Sequence, residues 1–158
     1  MSTDRLAELE RRLHRVEDER EIERMIASYG PLVDAGEADA VAVLWSEEGT
    51  YDVEGWSMRS RADIAAMVRS PQHQGLIGGG CCHFLGPAVV SVDGDDAVAI
   101  CESALLVHRE GRFVVARAGA NSFRLRRLDG RWQITERTTR ALDGKREAHQ
   151  LLSTLAGP

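Results

Sequence analysis

Tyr29 and Asp34 lie five residues apart near the end of an apolar stripe formed by Ile26, Tyr29 and Val33. On a helix that interval places them on neighbouring faces. Alone, Asp34 reads first as a solvated acid at a helix end; it becomes chemically useful only beside a cation or a histidine. His83 is the candidate partner, because it opens a β-type pattern directly after Gly78-Gly79-Gly80-Cys81-Cys82. A carboxylate that accepts a hydrogen bond from one ring nitrogen fixes the imidazole tautomer and leaves the other nitrogen a better base. His108 closes the next β-type segment, where period two groups it with Val98, Ile100, Ala104 and Leu106. One histidine on an apolar face is ordinarily a satisfied core residue. Two of them, with Asn121 on the following segment, raise a polar cluster inside one sheet face. Asp34, His83 and His108 could also offer a metal one carboxylate and two imidazoles, but no HxH or HExxH spacing occurs, and no metal is expected. Gly78–Gly80 lacks the lysine and helix context of a phosphate loop and reads as a flexible connector. GxSxG is absent, and the Cys81-Cys82 pair is not read as a nucleophile.

These residues need a scaffold with a helical first half and a β-rich second half. Leu6, Leu9, Leu13 and Val16 recur at helical spacing and predict an amphipathic helix. A second helix runs through Ile22, Met25, Ile26, Tyr29 and Val33 to a stop at Gly36, with Pro31 a possible kink. Helices over 37–45 and 61–69 follow, the latter capped by Ser60, with a short strand at Thr50–Val53 between them. Strands are predicted over 83–92, 97–108, 112–127 and 131–140, joined at Asp93-Gly94-Asp95-Asp96, Arg109-Glu110-Gly111 and Asp129-Gly130. Helices followed by strands predict an α+β domain, with a curved sheet wrapped around three or four helices and an open pocket between them.

At 158 residues, 43% hydrophobic, the chain fits one domain spanning 1–158 and needs neither disulfide nor metal to fold. A formal charge of -5 argues against nucleic acid as a partner. No stretch approaches the roughly 20 apolar residues of a membrane span, and the first residues carry no secretory h-region. Three cysteines, two of them adjacent, suit a reducing, cytoplasmic setting. The leucine stripe within 1–20 either folds onto its own sheet or packs on a neighbouring subunit, so a homo-oligomer is expected.

The order Tyr29, Asp34, Gly36, Asp39, Leu44-Trp45, then Tyr51, Glu54-Gly55, His83-Phe84-Leu85-Gly86, His108, Asn121 and Asp129-Gly130-Arg131-Trp132 resembles the SnoaL-like branch of the NTF2-like superfamily. Within it the chain is similar to the scytalone dehydratase group, which includes bile-acid 7-alpha-dehydratase and hexachlorocyclohexane dehydrochlorinase. The resemblance spans about residues 21–140. It implies a cone of mainly antiparallel sheet around helices, with a deep apolar pocket. It implies an Asp34–His83 dyad, with Tyr29 matching a tyrosine of the bile-acid enzyme and Arg137 a catalytic arginine of the dehydrochlorinase. His108 and Asn121 match the second histidine and the pocket asparagine of scytalone dehydratase. Trp45, Tyr51, Phe84 and Leu106 would complete the pocket wall. Val53 stands where ketosteroid isomerases place their aspartate base, and Leu106 where the bile-acid enzyme has an aspartate. The implied function is a cofactor-independent lyase, a dehydratase or dehydrohalogenase, acting on a small cyclic or aromatic hydrophobic substrate. An isomerase or polyketide cyclase on the same residues, or a non-catalytic ligand binder, is the alternative. Related dehydratases are commonly trimers, so a trimer is favoured over a dimer.

Overall fold

The computed structural model describes residues 3–156. One helix, α1, runs unbroken from Thr3 to Asp34. Two helices were expected here; nothing between Val16 and Ile22 breaks a helix, since Glu17-Asp18-Glu19-Arg20-Glu21 contains neither glycine nor proline, and the two fuse. Pro31 is accommodated in the last turn. Gly36 then ends the helix at φ +75°, a left-handed backbone suited to glycine. Its N–H reaches Val33 O at 3.2 Å and that of Glu37 reaches Leu32 O at 3.0 Å, satisfying the final carbonyls.

The helix expected over 37–45 shrinks to α2, Ala38–Ala42, and Trp45 instead begins strand β1, Trp45–Val53. A short β2, Trp56–Met58, folds back on it. Ser60 caps α3, Arg61–Arg69, by accepting from Asp63 N at 3.1 Å, as the sequence predicts. A further helix, α4, occupies Pro71–Gly79, so the glycine run is its last turn and not a free connector. Ser70 accepts from His73 N at 3.2 Å and Pro71 opens the first turn, a start signal that outweighs the helix-weakening glycines downstream.

The strand expected over 83–92 is two, β3 (Cys81–Leu85) and β4 (Val89–Asp93). Pro87 between them has no N–H for a ladder bond, which divides the run. Three long strands follow, β5 (Asp96–Arg109), β6 (Arg112–Leu128) and β7 (Arg131–Ala141), and then α5 (Arg146–Ser153). The sheet order is β2-β1-β7-β6-β5-β3, with β4 on the same edge of β5 as β3. All pairings are antiparallel except β1 with β7. Register shifts opposite Leu105/Leu106 and at Arg124/Leu125 mark bulges, which bend the sheet. Its inner face closes on Ile22, Ile26 and Val33 of α1 and Ile64 and Val68 of α3, with Phe123, Leu125 and Ile134 opposite.

Odd-numbered residues of β5 face this core: Ala97, Ala99 and Cys101 are buried in it. Leu106 and His108 therefore belong to the outer face, contrary to their expected place in the pocket. Period two fixes which residues share a face, not which face is inside.

Candidate active site

The site forms where the C-terminal end of α1 meets β3. A Cβ on Gly30 would lie 2.1 Å from His83 O, so helix and strand approach as closely as they do only because residue 30 has no side chain. That approach sets Asp34 against β3. Asp34 Oδ2 accepts the His83 backbone N–H at 2.7 Å, and Oδ1 accepts from His83 Nδ1 at 2.5 Å. The Cys81 thiol also donates to Oδ1, at 3.3 Å. With its proton on Nδ1, the ring carries its lone pair on Nε2.

His83 lines a cavity of about 170 Å³ together with Tyr29, Tyr51, Met58, Met67, His73, Leu105, Arg137 and Thr139; Phe84, Trp56 and Arg117 stand among its outer residues. Burial holds the His83 pKa below its ordinary 6.5. The Asp34 bond and charge pull it back up, while His73 and Arg137 push further down. Burial also raises the Tyr29 hydroxyl above its ordinary pKa, so it stays a proton donor. The Cys81 thiol is pushed up to about 12, by burial first and then by Asp34, and is no nucleophile at neutral pH.

Arg137 is the cavity's buried cation. Its guanidinium carbon sits 4.3 Å from the Tyr29 ring centre, 4.4 Å from that of Tyr51 and 5.0 Å from that of Phe123. Nη2 donates to Asn121 Oδ1 at 2.9 Å, which also accepts from Thr139 Oγ1 at 2.7 Å. Asn121 Nδ2 in turn donates to Ser103 Oγ at 2.9 Å. Nε and Nη1 of Arg137 have no protein partner, and among the described residues no carboxylate forms an ion pair with it. The aromatic faces supply part of the missing compensation.

Asp34, His83, Tyr29, Arg137, Tyr51 and Phe84 thus come together. Trp45 does not line the cavity; it is fully buried beneath Tyr29 and Tyr51, its Nε1 donating to Thr50 O at 3.2 Å. Asn121, also fully buried, stands behind Arg137 and orients it. His108 is exposed against Phe113, 5.1 Å between ring centres, so Asp34, His83 and His108 assemble no ligand set. Asp34, Cys81 and His83 do bring ligand atoms within 4.8 Å of one another. Those atoms are already joined through their own hydrogens, an arrangement that favours a dyad over an ion.

Sequence reasoning passed over His73, whose ring centre lies 5.5 Å from that of His83 and whose Nε2 is 3.1 Å from Val33 O. A carbonyl only accepts, so Nε2 carries a proton. The Ser70-Pro71 start signal would have placed His73 in the first turn of a helix.

The lowered His83 pKa has a consequence for acid sensitivity. Unfolded, the imidazole takes its proton near 6.5; folded, only at lower pH. Between those values the unfolded chain binds more protons, so this contribution to stability is intact above 6.5 and is lost as pH falls toward the folded value. In urea titrations, His83→Gln should show a shallower loss of stability over that window than the wild type. Equal pH slopes in both proteins would remove His83 as the cause.

Residues 14–138 match the family described as SnoaL-like domain. Among solved structures, an NTF2-like protein with a cystatin-like fold from Novosphingobium aromaticivorans is 42% identical, with TM-score 0.92, over 96% of this chain and 99% of that one. A variant of Rv3472 from Mycobacterium tuberculosis, of unknown function, is 19% identical, with TM-score 0.75, over 90% and 89%. A candidate scytalone dehydratase from Novosphingobium aromaticivorans is 18% identical, with TM-score 0.67, over 80% and 85%, a likeness of fold alone. No curated protein matches the chain.

Proposed function

This chain belongs to the SnoaL-like domain family and has the NTF2-like fold, and from that premise we propose that it is a cofactor-independent lyase. The observation that carries the proposal is the Asp34–His83 pair, a 2.5 Å hydrogen bond that leaves a neutral imidazole with its free nitrogen on the wall of an apolar cavity. A pure ligand binder needs no oriented base.

His83 Nε2 takes a proton from the carbon next to a carbonyl, and Asp34 stabilises the resulting imidazolium. Negative charge moves onto the carbonyl oxygen, where the Tyr29 hydroxyl and the Arg137 guanidinium meet it. The electron pair then returns to form the C=C bond as the neighbouring C–O or C–halogen bond breaks. A departing hydroxyl leaves as water with the proton that His83 took, which restores the base; a halide leaves as the anion, and solvent takes the proton. The cavity suits a compact cyclic or aromatic substrate. Isomerisation or cyclisation would share the first step and differ only in where the electron pair goes.

The test is incubation in D2O with a panel of small cyclic β-hydroxy- and β-halo-ketones, followed by NMR. The expected result is enzyme-dependent loss of the hydrogen next to the carbonyl, with release of water or halide and appearance of a conjugated alkene. Deuterium uptake with rearrangement and no release supports the isomerase or cyclase reading. Ligands that bind with neither uptake nor release leave a binding protein.

A further inference from the structure

A second imidazole shares the cavity wall with His83. The expected one, His108, stands exposed on the outer face of β5, and the ring that reaches the cavity comes from α4 instead. His73 is 8% exposed and lines the cavity. Its ring centre lies 5.5 Å from that of His83, with the two planes 34° apart. Ser70, accepting the His73 backbone N–H at 3.2 Å, fixes the turn that carries it.

A buried histidine is ordinarily a core residue with its ring nitrogens satisfied. His73 is bonded on one side alone. Nε2 donates to Val33 O at 3.1 Å, which sets the tautomer and leaves the lone pair on Nδ1. Among the described residues Nδ1 has no hydrogen-bond partner. The two rings are thus built alike. Each gives its N–H to a fixed acceptor, Asp34 for His83 and the Val33 carbonyl for His73, and each keeps a lone pair on its other nitrogen. Both acceptors belong to the last two residues of α1, so one helix end sets both tautomers.

We propose that His73 carries the proton from His83 to a departing hydroxyl, which makes the substrate a β-hydroxy carbonyl compound and not a β-halo one. The inference rests on the lyase reading and narrows it. His83 Nε2 takes the proton next to the carbonyl and becomes the imidazolium. It passes that proton to His73 Nδ1, directly or through one water. His73 Nδ1–H then donates to the hydroxyl oxygen as the C–O bond breaks and its electron pair leaves with the oxygen. The enolate pair forms the C=C bond, water departs, and both rings regain their starting tautomers.

Hydroxide is a poor leaving group and departs well only when protonated, whereas a halide leaves as the anion and has no use for an acid. A second imidazole therefore has work to do only in the first case. Its bond to Val33 O supports the task, because an N–H donor bonds a carbonyl more strongly when the ring is charged. A charge on His73 also pushes the His83 pKa down, so the proton in transit is not drawn back to the base.

Long-range 1H–15N NMR of the histidine rings tests the arrangement without a substrate. At mildly alkaline pH it should show His83 protonated at Nδ1 and His73 at Nε2. A His73 ring protonated at Nδ1 overturns the proposal and leaves the His83 base intact. A His83 ring protonated at Nε2 removes the base, and the lyase reading falls with it. The kinetic test uses His73→Gln, whose amide N–H can still serve Val33 O but cannot relay a proton. On the β-hydroxy and β-chloro forms of one cyclic ketone, it should lose about 10²-fold in kcat with the hydroxy compound and little with the chloro compound. Equal losses on both would reduce His73 to a strut between α4 and α1, and an undiminished rate on the hydroxy compound would return proton delivery to His83. Either result overturns the proposal while the lyase reading stands.

Discussion

Replacing His83 with alanine is expected to lower kcat/KM on an identified substrate by about 10²–10⁴-fold, the range a positioned general base contributes. The fold should survive. Asp34 Oδ2 accepts from the backbone N–H of residue 83, at 2.7 Å, and that bond does not involve the imidazole. Steady-state kinetics beside thermal melting separates the two effects: turnover collapses while the melting temperature holds. Added imidazole should restore part of the rate, because the cavity then has room for the missing ring. Asp34→Asn should also be slow, since the amide can present its N–H to Nδ1 and shift the ring proton to Nε2, masking the base. Unchanged turnover in His83→Ala would assign proton abstraction to another group, with His73 the nearest imidazole.

The legible part of this site was the part whose signal is local. Asp34 ends an apolar helical stripe and His83 follows a glycine run, so each stands out in its own segment. Ser60 announced α3 for the same reason. What the sequence concealed is which side of β5 points inward. Its even residues, Val98, Ile100 and Leu106, are bulkier than Ala97, Ala99 and Cys101, yet the small odd residues are the ones in the core under the sheet. These small inner residues share the core with Ile22 and Ile26 of α1. The resemblance implied pocket places for Leu106 and His108, and the even face of β5 that carries them is the outer one. Trp45 was misplaced because its neighbours Val41 and Leu44 extend a helical pattern that tertiary pairing with β7 overrides. The role of Asn121 is likewise invisible in sequence: it acts through Arg137, sixteen residues away on the adjacent strand.

Tertiary proximity also explains why Gly30 escaped notice, although it carries the second large expectation. It lies within a helix, where glycine costs about 1 kcal/mol relative to alanine, so Gly30→Ala would stabilise an isolated α1. In the folded chain the added methyl would sit 2.1 Å from His83 O, a backbone atom that cannot turn aside. Relief requires β3 to retreat from α1, and the same retreat pulls His83 from Asp34, whose two hydrogen bonds bridge that gap. Overpacking of this kind costs about 1–3 kcal/mol and occasionally more; contact with backbone puts this case near the upper end, about 3 kcal/mol. Activity should fall with stability, because one displacement damages both. Gly75→Ala is the internal comparison. Gly75 lies inside α4 with nothing within 4 Å of its would-be Cβ, so helix propensity alone governs and the variant should gain about 0.5–1 kcal/mol. Urea unfolding of the two variants should therefore move the midpoint in opposite directions. A Gly30→Ala protein with a wild-type midpoint would mean that α1 and β3 are not in contact at this point, and that the dyad is held in place by something other than their approach.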